Sequence, residues 1–205
     1  MLLHALYIVA IVVEAMTAAL AAGRRSMDWV GVCLLGSVTA LGGGSMRDIL
    51  LGHYPLSWVA HPDYLLVTAG AALFTIAIAR VVHRLRNVFL VLDAIGLALF
   101  TVIGCNVALD LDLPFLIVIM SGMITGCVGG VLRDVLCNDI PLLIRSELYA
   151  SVSVVAGALY VGGLRAGLPH DPVMIVAMAV GLALRLLAIR YGWNMPRFAY
   201  TRDLH

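Results

Sequence analysis

The chain has 205 residues, 62% of them hydrophobic and 12% charged, with a formal net charge of +1 and a mean hydropathy of +1.04. A soluble domain is nearer half apolar and about a quarter charged, so a single aqueous core is excluded and lipid is the expected solvent. All thirteen basic residues are arginine; without lysine no Schiff base to retinal or pyridoxal phosphate can form, and the near-zero charge leaves no nucleic-acid footprint.

A membrane span needs about 20 apolar residues. Seven stretches qualify, at roughly 3–22, 29–52, 63–82, 88–109, 114–137, 147–164 and 172–190. In the first, Ala19-Leu20-Ala21 has the look of a signal cleavage site. No arginine precedes it, Glu14 interrupts the apolar run, and Arg24 and Arg25 follow it, so an uncleaved span with its N-terminus outside is expected. The later breaks are short and polar, and none is a linker between domains. A single transmembrane domain over 1–205 is therefore expected. With seven spans the loops alternate sides, and nine arginines then fall on one side against Arg165 alone on the other. That bias places the C-terminus in the cytoplasm of a multi-pass inner (plasma) membrane protein. The four cysteines have no ligand spacing and read as small buried hydrophobes. Arg185, in the last span, is expected to snorkel to the cytoplasmic interface.

The second and fifth spans carry nearly the same text. Residues 36–56 read GSVTALGGGSMRDILLGHYPL and residues 122–142 read GMITGCVGGVLRDVLCNDIPL, with nine of 21 positions identical. The likeness extends to VVEAMTAAL at 12–20 and VLDAIGLAL at 91–99, which pairs Glu14 with Asp93. Each unit holds three spans, an odd number, so the second copy must enter the membrane upside down. The expected architecture is an all-α inverted 3+3 repeat. Repeat one covers about 3–83, repeat two about 88–165, and an unpaired seventh helix about 172–191. Transport proteins commonly place a polar path between such copies.

Three adjacent glycines, Gly42, Gly43 and Gly44, cost about 1 kcal/mol each in helix propensity relative to alanine. With Gly129 and Gly130 they predict kinks in the second and fifth helices. At membrane depth, irregular backbone survives only where protein buries it or water lines it. Exposed carbonyls there would replace part of a cation's hydration shell; close helix packing through small residues is the competing role. Thr39 and Thr125 sit at matching positions ahead of the glycines, and with Ser45 they are candidate pore-lining hydroxyls. Glu14, Asp48, Asp93, Asp134, Arg47 and Arg133 form the expected intramembrane charge network. Each charge at a span centre costs about 2.5–3.5 kcal/mol and must face a partner, protein or water. Adjacent residues point about 100° apart on a helix. Arg47 and Asp48 are therefore expected to find partners on other helices. Arg47 would pair with Asp134 or Asp93, and Arg133 with Asp48 or Glu14.

GGGSMRDILLG and its echo GGVLRDVLC, on the second and fifth of seven spans, resemble the trimeric intracellular cation (TRIC) channel family in its prokaryotic branch. The resemblance covers the chain from Leu3 to about Tyr191. It implies a homotrimer, a pore within each protomer lined by the two glycine-bearing helices, and passage of monovalent cations, chiefly potassium with sodium. It implies transient cations near Gly42, Gly43, Gly129 and Gly130, no tight metal site and no cofactor, and membrane lipid as the surrounding partner. Val128 stands where the first copy has Gly42, so a gentler second kink is expected. A secondary permease for a small solute such as glycine is the alternative; no metal set or nucleophile pair points to an enzyme.

Overall fold

The structure, a computed structural model, describes residues 2–79, 85–145 and 148–193. Among the described residues the long helices are α1 (Leu2–Arg24), α2 (Trp29–Leu51), α4 (Asp63–Ala79), α5 (Leu85–Asp110), α6 (Phe115–Leu136), α8 (Ala150–Arg165) and α9 (His170–Tyr191). Two one-turn helices, α3 (Ser57–Ala60) and α7 (Leu142–Arg145), follow α2 and α6 at matching places in the two copies. Five of the long helices are long and apolar enough to cross a bilayer, while α4 and α8 are apolar but shorter. The expected end of the third span, residues 80–82, lies outside the described residues, as do Arg80, Arg84, Arg197, Arg202 and the side chain of Arg145. The chain is a multi-pass helical membrane protein.

Local chemistry sets the helix ends. Asp28 caps α2 by accepting the Gly31 N–H at 2.6 Å. α2 stops at Gly52, whose φ of 66° is left-handed, and the His53 N–H turns back to the Asp48 carbonyl at 2.8 Å. The equivalent end of α6 uses Asn138 at φ 54°, with the Asp139 N–H on the Asp134 carbonyl, also at 2.8 Å. Both are the left-handed cap that glycine, and less often asparagine, supplies. Two different residues thus give one geometry in the two copies.

Helices α1, α2 and α4 pack as one trio and α5, α6 and α8 as another; the trios meet along α2–α6 and α1–α5, and α9 lies on α5 and α8. The buried core is built largely of alanine, valine and leucine along these seams. The outward faces carry exposed apolar side chains such as Leu66, Leu116 and Ile144, as a lipid-facing surface requires.

Candidate functional site

The glycine doublets sit where the two trios touch. Both helices run unbroken through them. A Cβ on Gly43 would fall onto the Thr125 carbonyl oxygen, and one on Gly129 would fall onto the Thr39 carbonyl oxygen. Glycine is therefore demanded here by backbone-to-backbone approach. The two contacts are reciprocal: as α2 advances from Thr39 to Gly43, its partner recedes from Gly129 to Thr125. The helices run antiparallel across this contact. Gly42 faces Leu132 and Gly44 the Arg47 side chain, whereas Gly130 faces the Tyr149 hydroxyl with Arg133 just beyond it. Thr125 donates to the Ser121 carbonyl at 2.7 Å and Ser45 to the Leu41 carbonyl at 2.8 Å. Thr39 Oγ1 is buried with no hydrogen-bond partner.

Arg47 and Asp48, each essentially inaccessible, form the first buried charge centre. Arg47 Nε and Nη2 both donate to Asp48 Oδ1, at 2.9 and 2.7 Å. This corrects the expected pairing across copies. The arginine stem is long enough to fold back along the helix surface, which overrides the divergence of adjacent Cβ directions. His53 Nδ1 stands 3.0 Å from the same oxygen, and Ser57 donates to Asp48 Oδ2 at 3.3 Å. Arg47 Nη1 has no partner.

The second centre repeats the local pair and adds acid. Arg133 Nε donates to Asp134 Oδ1 at 2.8 Å. Its Nη1 donates to Asp93 Oδ1 at 2.9 Å and to Thr17 Oγ1 at 3.1 Å, and lies 3.9 Å from Glu14 Oε2. Of the cross-copy partners expected, only Glu14 is approached. Three buried carboxylates thus surround one guanidinium, which also lies 4.6 Å from the Phe89 ring centroid, while Arg24 covers Phe89 at 4.8 Å. Asp134 Oδ2 accepts the Leu142 N–H at 2.9 Å. The expected network is therefore two separate centres, one at each motif arginine and unequal in charge, the second drawing Thr17 and Glu14 from the first copy.

Arg185 does not snorkel. It is fully buried, with its guanidinium 4.7 Å from the Tyr149 ring centroid, because the face of α9 that carries it packs inward on α5 and α8. His53 belongs to the first centre. Ser57, Thr17, Phe89 and Tyr149 escape sequence reasoning. The signal for Ser57 and Leu142 was present: the shared Pro-Leu pairs at 55–56 and 141–142 set the turns that bring a donor back to each motif aspartate.

A cavity of about 440 Å³ opens beside the first centre, between the start of α1, the end of α2, the segment through α3, the start of α4 and α5. Arg47, His53 and Ser57 line it, with Tyr7 and Tyr64.

The family model described as a glycine transporter matches this chain twice, over residues 4–80 and 90–165. The UPF0126 inner membrane protein YadS of Escherichia coli (strain K12) is 40% identical over 205 residues, 99% of each chain. A UPF0126 membrane protein of Vibrio cholerae is 41% identical over 191 residues, 93% of this chain and 80% of its own. Among solved structures, the TRIC channel orthologue from Rhodobacter sphaeroides superposes with a TM-score of 0.90 at 34% identity, covering 93% of this chain and 98% of that one. A prokaryotic TRIC channel superposes at 0.88 with 31% identity, over 95% and 99%. A TRIC channel from C. elegans, 16% identical with a TM-score of 0.64 over 91% and 90%, shares the fold. Repeated motif, helix order and near-complete coverage agree: the chain belongs to the UPF0126 membrane proteins, the prokaryotic branch of the TRIC channel family.

Proposed function

We propose that this protein is a passive channel for monovalent cations, potassium with sodium, in the inner membrane of a prokaryote. It works as a homotrimer with one path inside each protomer, and it catalyses no reaction. The N-terminus is outside and the C-terminus cytoplasmic. The two trios are inverted copies, repeat one over about 3–83 and repeat two over about 88–165, with α9 added. The observation that carries the reading is the superposition on cation channels over nearly the whole chain. The second charge centre supports it. Glu14, Asp93 and Asp134 outnumber Arg133 there, and a buried excess of carboxylate draws cations.

The route follows α2 and α6, past Thr39, Ser45 and Thr125. Cations dwell transiently near Gly42, Gly43, Gly129 and Gly130, and lipid surrounds the trimer. In the structure Gly43 and Gly129 are closed against the opposite backbone, so conduction requires α2 and α6 to bend at the glycines and part.

A second reading, a permease for a small solute such as glycine, is favoured by the cavity at Arg47 and by the family model's description. Recording from purified protein in a planar bilayer separates the two. Discrete unitary currents that reverse at the potassium equilibrium potential support the channel. Silent bilayers together with saturable glycine uptake into proteoliposomes overturn it in favour of the permease.

A further inference from the structure

The geometry points to a binding site for a small carboxylate in the cavity at Arg47. The cavity, about 440 Å³, has one arginine and three histidines in its lining and, among the described residues, neither aspartate nor glutamate. Asp48 behind the wall balances the charge of Arg47, so the pull on an anion comes from the unmet donor rather than from a net positive field. The cavity lies within the range of small-molecule clefts.

Arg47 is 2% exposed. Its Nε and Nη2 are held by Asp48, which fixes the guanidinium plane and leaves Nη1 as the spare edge. Nη1 is buried and has no partner. A buried guanidinium N–H left unmet is an expensive group in any fold, and a carboxylate is the acceptor that best matches a planar guanidinium. Asp48 cannot swing over to supply it, since both its oxygens are already engaged by Arg47, His53 and Ser57. Tyr7 lines the same cavity as Arg47 and Ser57 and brings a hydroxyl to its wall. Tyr7 and Tyr64 rings pack at 5.0 Å and His61 lies 5.1 Å from Tyr64. These rings make an aromatic wall for the carbon skeleton of the ligand. At the sister centre Arg133 Nη1 meets Asp93 and Thr17; its Nη2 is likewise buried without a partner, but Glu14, Asp93 and Asp134 crowd that guanidinium and oppose a further carboxylate. The site is thus placed at Arg47, and it goes beyond the proposed conduction.

The test is calorimetric titration of the full chain in lipid nanodiscs with sodium acetate, glycine, sodium chloride and methylammonium chloride. Because binding is read without current, its outcome is independent of whether the protein conducts. Acetate and glycine are expected to saturate one site per protomer with millimolar or tighter affinity, competing with each other, while chloride and methylammonium give no saturable heat. Glycine binding without acetate binding would overturn the assignment, because it would place recognition on the ammonium group. Chloride competing as well as acetate would also overturn it, reducing the site to a general anion sink. Tyr7→Phe is expected to weaken acetate about threefold, and Arg47→Met about tenfold or more. Should Arg47→Met fail to assemble, Ala60→Phe tests the same claim by filling the cavity from its rim without touching Arg47 or Asp48. Undiminished binding in a folded Ala60→Phe protein overturns the proposal.

Discussion

At Arg47 and Arg133 the same two-residue phrase meets different surroundings, and the difference governs what each carboxylate is worth. Among the described residues Asp48 is the sole acid bonded to Arg47, so Asp48→Ala strands a buried guanidinium. Removing one member of a buried pair typically costs about 3–5 kcal/mol, and the thermal midpoint of the purified variant should fall accordingly. Glu14 stands at the far edge of Arg133, 3.9 Å away, while Asp93 and Asp134 hold that arginine at 2.9 and 2.8 Å. Glu14→Gln removes no hydrogen-bonded partner of Arg133 and keeps an acceptor for Thr17, so it should cost less stability than Asp48→Ala, yet lower potassium current by thinning the negative field. Equal losses of stability in the two variants would contradict the unequal charge of the centres. The six ionisable residues were legible from the sequence because charge inside an apolar run must be accounted for. Their pairing was not legible. An arginine side chain can lie along its own helix or reach across, and only the packed neighbours decide. Arg185 shows the same limit: its place on α9 allowed escape to the interface, but the inward face of that helix closed the way.

Helices α2 and α6 carry their information in register. The sequence marked both the glycines and the shared Pro-Leu turns, and it gave the helix ends to within a residue or two. It did not reveal which glycine touches what, since helical periodicity alone does not name the opposite surface. The structure separates positions that look alike in the text. Gly43→Ala must push the Thr125 carbonyl away and should destabilise by about 1–3 kcal/mol, the usual range for overpacking. Gly44→Ala has its nearest contact at 3.7 Å, on Arg47 Nη2, and should be tolerated or slightly stabilising through better helix propensity. Urea or thermal unfolding of the two variants in one detergent provides the comparison. A Gly44→Ala protein that loses as much as Gly43→Ala would show that the crossing is not where the tight fit lies.

Over the whole molecule, the two trios and the added α9 make a topology that labelling can read. If the copies are inverted, Ser26 faces the cytoplasm and Asp112 the outside. Ser26→Cys should then react with an impermeant maleimide only after the membrane is opened, whereas Asp112→Cys should react in intact cells. The native thiols at Cys105, Cys127 and Cys137 are buried and leave a low background, with Cys33 partly covered. Labelling of both positions from the same side would break the inverted arrangement. The all-helical, membrane-spanning class could be read from hydropathy. The cavity at Arg47 could not, because stretches of chain far apart in sequence close around it and no local pattern announces that meeting.

The reciprocal seating of Gly43 on Thr125 and Gly129 on Thr39 has a bearing on ancestry. A free-standing three-helix unit with this surface would dock onto its own twin, and a single substitution would then strike both halves of the joint together. Tethered in one polypeptide, the halves are released from that bond. One can keep Gly42 while the other takes Val128, and one can hold an open hollow at its arginine while the other fills the corresponding space with acid.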